Sequence, residues 1–238
     1  MPRLLFPLAH DYSFVKGYYA RVENGRLYGR LCRLLYEPVV AALAGDRDDP
    51  VVDYLSAFRY ALAGEFAATG DVVASLPVQR TWGLEVGTLA AAYDAVGVDG
   101  AAQVDLGSYE HDHRAVSGPT GLSDMSESVG AALLRAAGEH GVDPDYEALP
   151  DAYRAAADSY VASYGADAAF NGLSYDAGDE RDQVRTYAES IAPPGPDTRL
   201  PCWNDTALSP AAVAEAARAD AVDAANGAVG EADADASE

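Results

Sequence analysis

One carboxylate in the sequence stands in a setting that could do chemistry. Glu85 lies between the apolar residues Leu84 and Val86, with Gly83 before them and Gly87 after them. The pattern predicts a carboxylate in the first turn of a helix, where the helix dipole favours negative charge. The same group could instead act on a substrate, and on the residues alone the two interpretations stay open.

Two of the four histidines lie in one loop. His111 and His113 follow the strand pattern of residues 103–107. A neutral imidazole can complete a metal shell that carboxylates begin. A solvated loop histidine is the commoner case for an isolated residue, so the sequence alone does not decide between the two.

Two basic residues are placed where they could bind an anion. Lys16 is the one lysine of the chain and lies in a segment rich in aromatic residues. Contact with a phosphate or an acceptor fits this position, although chance retention also explains it. Arg26 follows the turn residue Gly25, and a guanidinium suits phosphate or carboxylate. The alternative for Arg26 is an ordinary surface arginine beside a turn.

The charge balance restricts habitat and partners. The net charge is −22 over 238 residues, which is typical of proteins from a cytoplasm of very high salt, where charge repulsion is screened. We therefore predict an acidic, halophilic, cytoplasmic protein. Nucleic acid and anionic membrane are not expected as partners, because both require a basic face. Cys32 and Cys202 show no metal-ligand spacing, so we expect reduced thiols.

Strands and helices alternate in the first part of the chain. The patterns predict strands over residues 13–21 and 101–106, and helices over 27–43, 51–58, 85–96 and 123–137. We also expect a helix running through Ala67 and Ala68, and Ser123 as the cap of its helix. Later segments, residues 153–164, 182–191 and 210–225, read as helices.

Five motifs in this order resemble the glucosyl-3-phosphoglycerate synthase group of glycosyltransferases, which have the GT-A fold. The matching pieces are residues 14–21 (FVKGYYAR), 25–26 (GR), 62–65 (LAGE), 83–87 (GLEVG) and 102–107 (AQVDLG), the last followed by His111. Each piece is weak by itself, but the shared order makes the resemblance fairly specific. It covers roughly residues 13–140, a little over half of the chain.

The resemblance implies a set of site residues. Glu85 becomes the catalytic group, which orients the acceptor or acts at the transition state near the sugar, and His111 becomes a ligand of Mg²⁺ or Mn²⁺. The substrate-binding set is Lys16, Arg26, Leu62, Ala63, Gly64 and His113. Glu65 is a cap or a supporting residue. Tyr28 and His113 replace a threonine and an asparagine of the family pattern, so the acceptor need not be 3-phosphoglycerate.

The implied fold is α/β, a partial GT-A fold with a small incomplete mixed sheet and a helical C-terminal extension. We assign residues 1–145 to the acceptor-side half of the domain and 146–206 to a helical extension. Residues 207–238 are assigned to an Ala-rich helix and an acidic disordered tail.

The resemblance also implies a nucleotide-sugar donor, a small polar acceptor that could be phosphorylated, and a retaining transfer. The donor-binding half and its Asp-X-Asp motif are not found, since Asp11 is the sole acid before the strand at residue 13. We therefore expect this chain not to transfer sugar on its own. The alternative is a non-catalytic acceptor-domain remnant that pairs with itself or with a separate donor-binding chain.

Overall fold

A small sheet and a set of helices share one hydrophobic core. The computed structural model describes residues 2–45, 48–108, 119–209 and 211–222, with side chains from residue 124 onward in the third range. Its strands are β1 (Phe14–Ala20), β2 (Val22–Glu23), β3 (Arg26–Leu27), β4 (Phe66–Ala68) and β5 (Ala101–Ser108). Its helices are α1 (Pro2–Leu8), α2 (Glu37–Ala44), α3 (Pro50–Ser56), α4 (Gly70–Ser75), α5 (Leu84–Val96), α6 (Pro119–Glu139), α7 (Leu149–Phe170), α8 (Ala177–Ala188) and α9 (residues 211–222).

Strand β1 lies at the centre of a mixed three-stranded sheet. The order is β4-β1-β5, with β4 antiparallel and β5 parallel to β1. Val15 lies opposite Ala67 on one side and Ala102 on the other. Phe14 and Val15 are completely buried, as expected for a strand covered on both faces. The predicted α/β class, with strands near Val15 and Val104 in one small mixed sheet, is confirmed.

The core continues from the sheet into the C-terminal helices. Leu34, Leu55, Leu89 and Leu133 are fully buried in the same cluster as Tyr153 of α7. Burying one leucine side chain contributes about 1.5–3 kcal/mol. Helix α7 packs on α2, and α8 packs on α7. The helical C-terminal part is thus confirmed, while the boundaries at residues 145 and 206 stay predictions.

The prediction of a helix through Ala67 and Ala68 is wrong. These residues belong to β4, which pairs with residues 14–16 of β1. Alanine has the highest intrinsic helix propensity, but propensity is a weak determinant, and pairing with a neighbouring strand overrides it over three residues.

Two predicted helix boundaries also change. Helix α6 begins at Pro119, so Ser123 lies inside the helix and is not its cap. Proline is well suited to a first turn, where its missing N–H is not needed. The pattern over residues 27–43 divides into the end of β3, a π-helical turn (Cys32–Tyr36) and α2, with Pro38 in the first turn of α2.

The apolar segment at Leu4 is helical. Helix α1 packs on the sheet and buries Leu4, while Leu5 and Phe6 are exposed. None of the helices in the described ranges is long and apolar enough to cross a membrane.

A histidine joins the ends of α5 and α6. His140 Nε2 lies 2.8 Å from Asp94 Oδ1, and its Nδ1 lies 2.7 Å from the Ala136 carbonyl oxygen. Burial disfavours the charged ring, but the hydrogen bonds to Ala136 and Asp94 outweigh it and raise the pKa of His140. Because the folded protein holds this proton more tightly, the resulting stabilisation is complete below the unfolded pKa of about 6.5 and is lost as pH rises through the folded pKa.

Removing the partner of His140 should therefore destabilise the protein only at low pH. We expect Asp94→Asn to lower the free energy of unfolding at pH 6 by less than about 1 kcal/mol, since Asp94 is largely exposed. At pH 9 the effect should vanish. Denaturant unfolding at the two pH values checks this, and an equal loss at both would contradict it.

Candidate functional site

The one lysine of the chain is buried beneath the segment that precedes β4. Lys16 lies in β1 with its side chain 2% exposed, and its ammonium donates a hydrogen bond to the Ala63 carbonyl oxygen. Burial lowers the pKa of Lys16 to about 8, against the opposing attraction of Glu85 and Glu65. The structure therefore brings together the first, third and fourth sequence motifs around one ammonium group.

Glu65 supplies a second carboxylate at this position. Its backbone carbonyl accepts a hydrogen bond from the Gly17 amide at 2.8 Å. A side chain at residue 17 would place Cβ 3.2 Å from that carbonyl oxygen, so glycine permits the close approach. Glu65 Oε2 is buried without a hydrogen-bond partner among the residues that the structure describes. The nearby Tyr19 hydroxyl has a raised pKa, first through burial and then through Glu65.

Glu85 is held at the start of α5 by an unusual turn. Gly83 precedes the helix with φ of 100°, and Glu85 is half-buried in the first turn. The loop before it is fixed by Val78, which exchanges two backbone hydrogen bonds with Leu200 at 3.1 and 2.9 Å. A cavity of about 580 Å³ opens beside the carboxylate, the Glu85 cavity, lined by Arg80, Thr81, Trp82, Gly83, Leu84, Glu85, Asp124 and Ser128.

The predicted substrate-binding segment, Leu62 to Gly64, runs past the ammonium group of Lys16. Ala63 is completely buried, Leu62 is half-buried and Gly64 is exposed. The chain thus passes from the buried contact with Lys16 to the surface within two residues.

Arg26 lies on a tight hairpin. Strands β2 and β3 are joined by Asn24 (φ 50°) and Gly25 (φ 70°), as a two-residue type I′ turn requires. Arg26 is exposed and lines a cavity of about 420 Å³, the Arg26 cavity, together with Leu27, Tyr28, Gly29, Arg30, Ser174, Tyr175, Asp176, Asp179 and Glu180. Neither Lys16 nor Glu85 lines it. The structure therefore does not bring Arg26 into direct contact with the Lys16 position.

An aromatic pair connects these two places. Gly29 has φ of 79°, and a Cβ there would lie 2.7 Å from the Tyr60 hydroxyl. Tyr60 packs on Tyr19, with ring centroids 5.1 Å apart, and Tyr19 neighbours Glu65. The hairpin that carries Arg26 is thus linked through Tyr60 to the carboxylate beside Lys16.

The predicted residues His111 and His113 lie outside the described residues. Within the part of the chain that the structure describes, no group of three or more His, Cys, Asp or Glu side chains could hold a metal ion. The described side chains therefore offer no donor set that fits Mg²⁺ or Mn²⁺.

One buried group was missed by the sequence analysis. Glu180 of α8 is 4% exposed and accepts hydrogen bonds from Arg30 and Arg33. These partners lie about 150 residues away along the chain, and no local pattern marks them. The π-helical turn at Cys32–Tyr36 is the feature that could have drawn attention, since such turns often occur at functional sites.

Comparisons with known proteins give the same family as the motifs. No protein-family model matches the chain. The glucosyl-3-phosphoglycerate synthase of Methanococcoides burtonii is 33% identical over 215 residues, which is 83% of this chain and 52% of that protein. The enzyme of the same name from Persephonella marina is 33% identical over 199 residues, 79% of this chain and 49% of the relative.

A solved structure is also similar. The Mycobacterium tuberculosis glucosyl-3-phosphoglycerate synthase, in complex with Mn²⁺, UDP-glucose and phosphoglyceric acid, is 33% identical with a TM-score of 0.46. The match covers 60% of this chain and 44% of that one. The chain spans about half the length of the curated relatives it matches. The resemblance seen in the motifs is confirmed, and the chain is a relative of the glucosyl-3-phosphoglycerate synthases over about half of their length.

Proposed function

We propose that this chain forms the acceptor-side part of a glycosyltransferase that moves glucose from UDP-glucose to a small phosphorylated acceptor of the phosphoglycerate type, with retention of configuration at the sugar. The observation that supports this is the meeting of Lys16, Ala63, Glu65 and Glu85 in one place, from three motifs far apart in sequence. The relatives are named for this reaction, and one was solved with both substrates.

Glu85 is the group that acts at the sugar. Its carboxylate is half-buried, and the Glu85 cavity beside it is open to a ligand. Positive charge develops on the sugar ring as the bond to the nucleotide breaks, and a fixed carboxylate stabilises that charge. The buried ammonium of Lys16 holds the Ala63 carbonyl, and with it the segment of residues 62–64 that faces the substrate.

Arg26 is the group that binds the acceptor phosphate. Its guanidinium is exposed and, within the described ranges, makes no ion pair, so its donors are available to an anion. Tyr28 stands where the family pattern has a threonine, and for this reason the proposal names a phosphoglycerate-type acceptor and not one compound.

The remaining parts of the proposal rest on resemblance and composition. The divalent cation is Mg²⁺ or Mn²⁺, with His111 among its ligands and His113 near the acceptor. The setting is a cytoplasm of high salt, and the division at residues 145 and 206 separates the acceptor-side half from its helical extension.

The acceptor assignment predicts a loss of binding on removal of one charge. We expect Arg26→Gln to weaken 3-phosphoglycerate binding by about tenfold to a hundredfold, the value of a charge-assisted hydrogen bond. Calorimetry in molar KCl measures it, because salt screens the repulsion between the acidic protein and the anion.

The matched control is Arg154→Gln, which removes the same charge from an exposed pair with Asp151 on α7. It should leave the affinity unchanged. An equal loss in both variants, or no binding by the unaltered chain, would refute the acceptor assignment.

A further inference from the structure

The buried carboxylate of Glu180 is shared by two arginines from the other end of the chain. Arg30 Nε donates to Oε1 at 2.8 Å, and an Arg33 guanidinium nitrogen donates to Oε2 at 2.9 Å. Both oxygens of the carboxylate are therefore engaged. Arg33 is itself 4% exposed, and its guanidinium also lies 4.8 Å from the centre of the Tyr164 ring. Helix α8 is thus tied to the segment that follows the hairpin of Arg26.

Arg33 also connects Glu180 to the hairpin that carries Arg26. Its Nε donates to the Tyr28 carbonyl oxygen at 3.1 Å, so the guanidinium joins Glu180 to the backbone two residues after Arg26. A second bond reaches the other side of the turn, where the Ser174 amide donates to the Gly25 carbonyl oxygen at 2.8 Å. Ser174 lies between α7 and α8. The segment from Gly25 to Tyr28 is therefore held at both ends by the C-terminal helices.

The charges around the Arg26 cavity follow from the same contacts. Glu180 forms ion pairs with both Arg30 and Arg33, whereas Arg26 forms no ion pair within the described ranges. Asp176 and Asp179 also line the cavity, and Glu23 lies opposite Arg26 in the hairpin. Asp176 accepts the amides of Gly178 and Asp179 at the start of α8. Arg26 thus lines the cavity without an ion-pair partner among the described residues. Hydrogen bonds from Ser174 and Arg33 hold the backbone of the turn that carries it.

We propose that Glu180 is the positioning residue of the acceptor site: through Arg33 it holds the turn that carries Arg26, and it leaves Arg26 as the cation that meets the acceptor phosphate. This inference rests on the proposed function. It assigns to the C-terminal helices a part in acceptor binding that the five sequence motifs do not include. Glu180 contacts neither acceptor nor sugar, and its effect reaches them through Arg33 and the turn.

The test shortens the side chain of residue 180 and keeps its negative charge. Glu180→Asp is one methylene shorter and cannot keep both arginines at their present distances. Glu180→Gln removes the charge, but it leaves Arg33 buried without a counter-charge and could unfold the protein, so Glu180→Asp carries the test. The matched control is Asp182→Asn on the same helix, which breaks an exposed pair with Arg185.

Two readouts separate positioning from simple stability. Hydrogen exchange at the Ser174 amide reports whether the turn stays attached, and the Leu173 amide, bonded to the Ala168 carbonyl at 2.8 Å, is the internal reference. In Glu180→Asp we expect exchange at Ser174 to accelerate at least about tenfold with Leu173 unchanged. Affinity for 3-phosphoglycerate should fall about tenfold, while Asp182→Asn changes neither quantity.

Each outcome decides a different claim. Unchanged affinity in Glu180→Asp, with tight binding by the unaltered chain, overturns the positioning role and leaves the proposed function standing. Unchanged exchange at Ser174 overturns it as well, because the turn would not depend on Glu180. No 3-phosphoglycerate binding by the unaltered chain overturns the proposed function and the acceptor role of Glu180 together.

Discussion

The one lysine of this chain should titrate near pH 8, well below the ordinary lysine value of 10.5. Burial of Lys16 against the Ala63 carbonyl disfavours the charged form, and the attraction of Glu85 and Glu65 recovers only part of that cost. Because no other lysine is present, NMR of lysine-labelled protein reports this titration without overlap. A midpoint near 10.5 would contradict this prediction, because burial would then not dominate the titration of Lys16.

The lowered pKa of Lys16 should also make the free energy of unfolding depend on pH. Between about pH 8 and 10.5 the unfolded chain binds more protons at this lysine than the folded chain does, so the Lys16 contribution to stability rises with pH across that window. The rise should reach about 3 kcal/mol, since one pKa unit corresponds to 1.36 kcal/mol. We expect it to be absent in Lys16→Met. Tyrosines away from residue 16 titrate in both proteins, so the difference between the two unfolding curves reports the Lys16 contribution, and parallel curves would contradict the prediction.

The second large effect is expected at the glycine before Glu85. Gly83 has φ of 100°, and a Cβ at this position would lie 2.9 Å from the Ala132 Cβ and 3.1 Å from the Ser128 carbonyl oxygen, both on α6. Backbone strain costs about 1–3 kcal/mol and overpacking a similar amount. Gly83→Ala should therefore lower the free energy of unfolding by about 2–6 kcal/mol and displace the first turn of α5, which carries Glu85.

A second glycine separates the two causes. Gly141 has a comparable φ of 87°, and a Cβ there would meet nothing within 4 Å. Gly141→Ala should cost only the backbone strain, about 1–3 kcal/mol. Denaturant unfolding of the two variants in high salt measures the difference. Equal losses of unfolding free energy in the two variants would show that α6 makes no steric clash with a side chain at the turn before Glu85.

The features that the sequence predicted correctly are local ones. Strands β1 and β5 and helix α5 each carry their signal within a short stretch: aromatic and β-branched residues, a glycine at the helix end, or a carboxylate in a first turn. The motifs around Lys16, Ala63 and Glu85 lie on these elements or beside them. Their meeting at one place was expected from the order that they share with the family. In the structure, Lys16 lies on β1, and the 62–65 segment leads into β4, which pairs with β1.

The features that it missed depend on distant partners. Ala67 and Ala68 form a strand only because β1 offers them an edge. Glu180 lies in a helix full of charged residues, and nothing local separates it from exposed Asp182 or Asp179. Its role follows from Arg33, 147 residues away. The helical pattern over residues 27–43 likewise missed the end of β3 and the π-helical turn at Cys32–Tyr36, although the turn at Gly25 was predicted.

The most direct test of the account is a crystal structure of this chain grown in high salt with 3-phosphoglycerate. We predict that the phosphate binds the Arg26 guanidinium, with donor–acceptor distances of about 2.7–2.9 Å, and that the turn stays hydrogen-bonded to Ser174 and Arg33. A phosphate bound elsewhere on the protein, with Arg26 facing solvent, would contradict it.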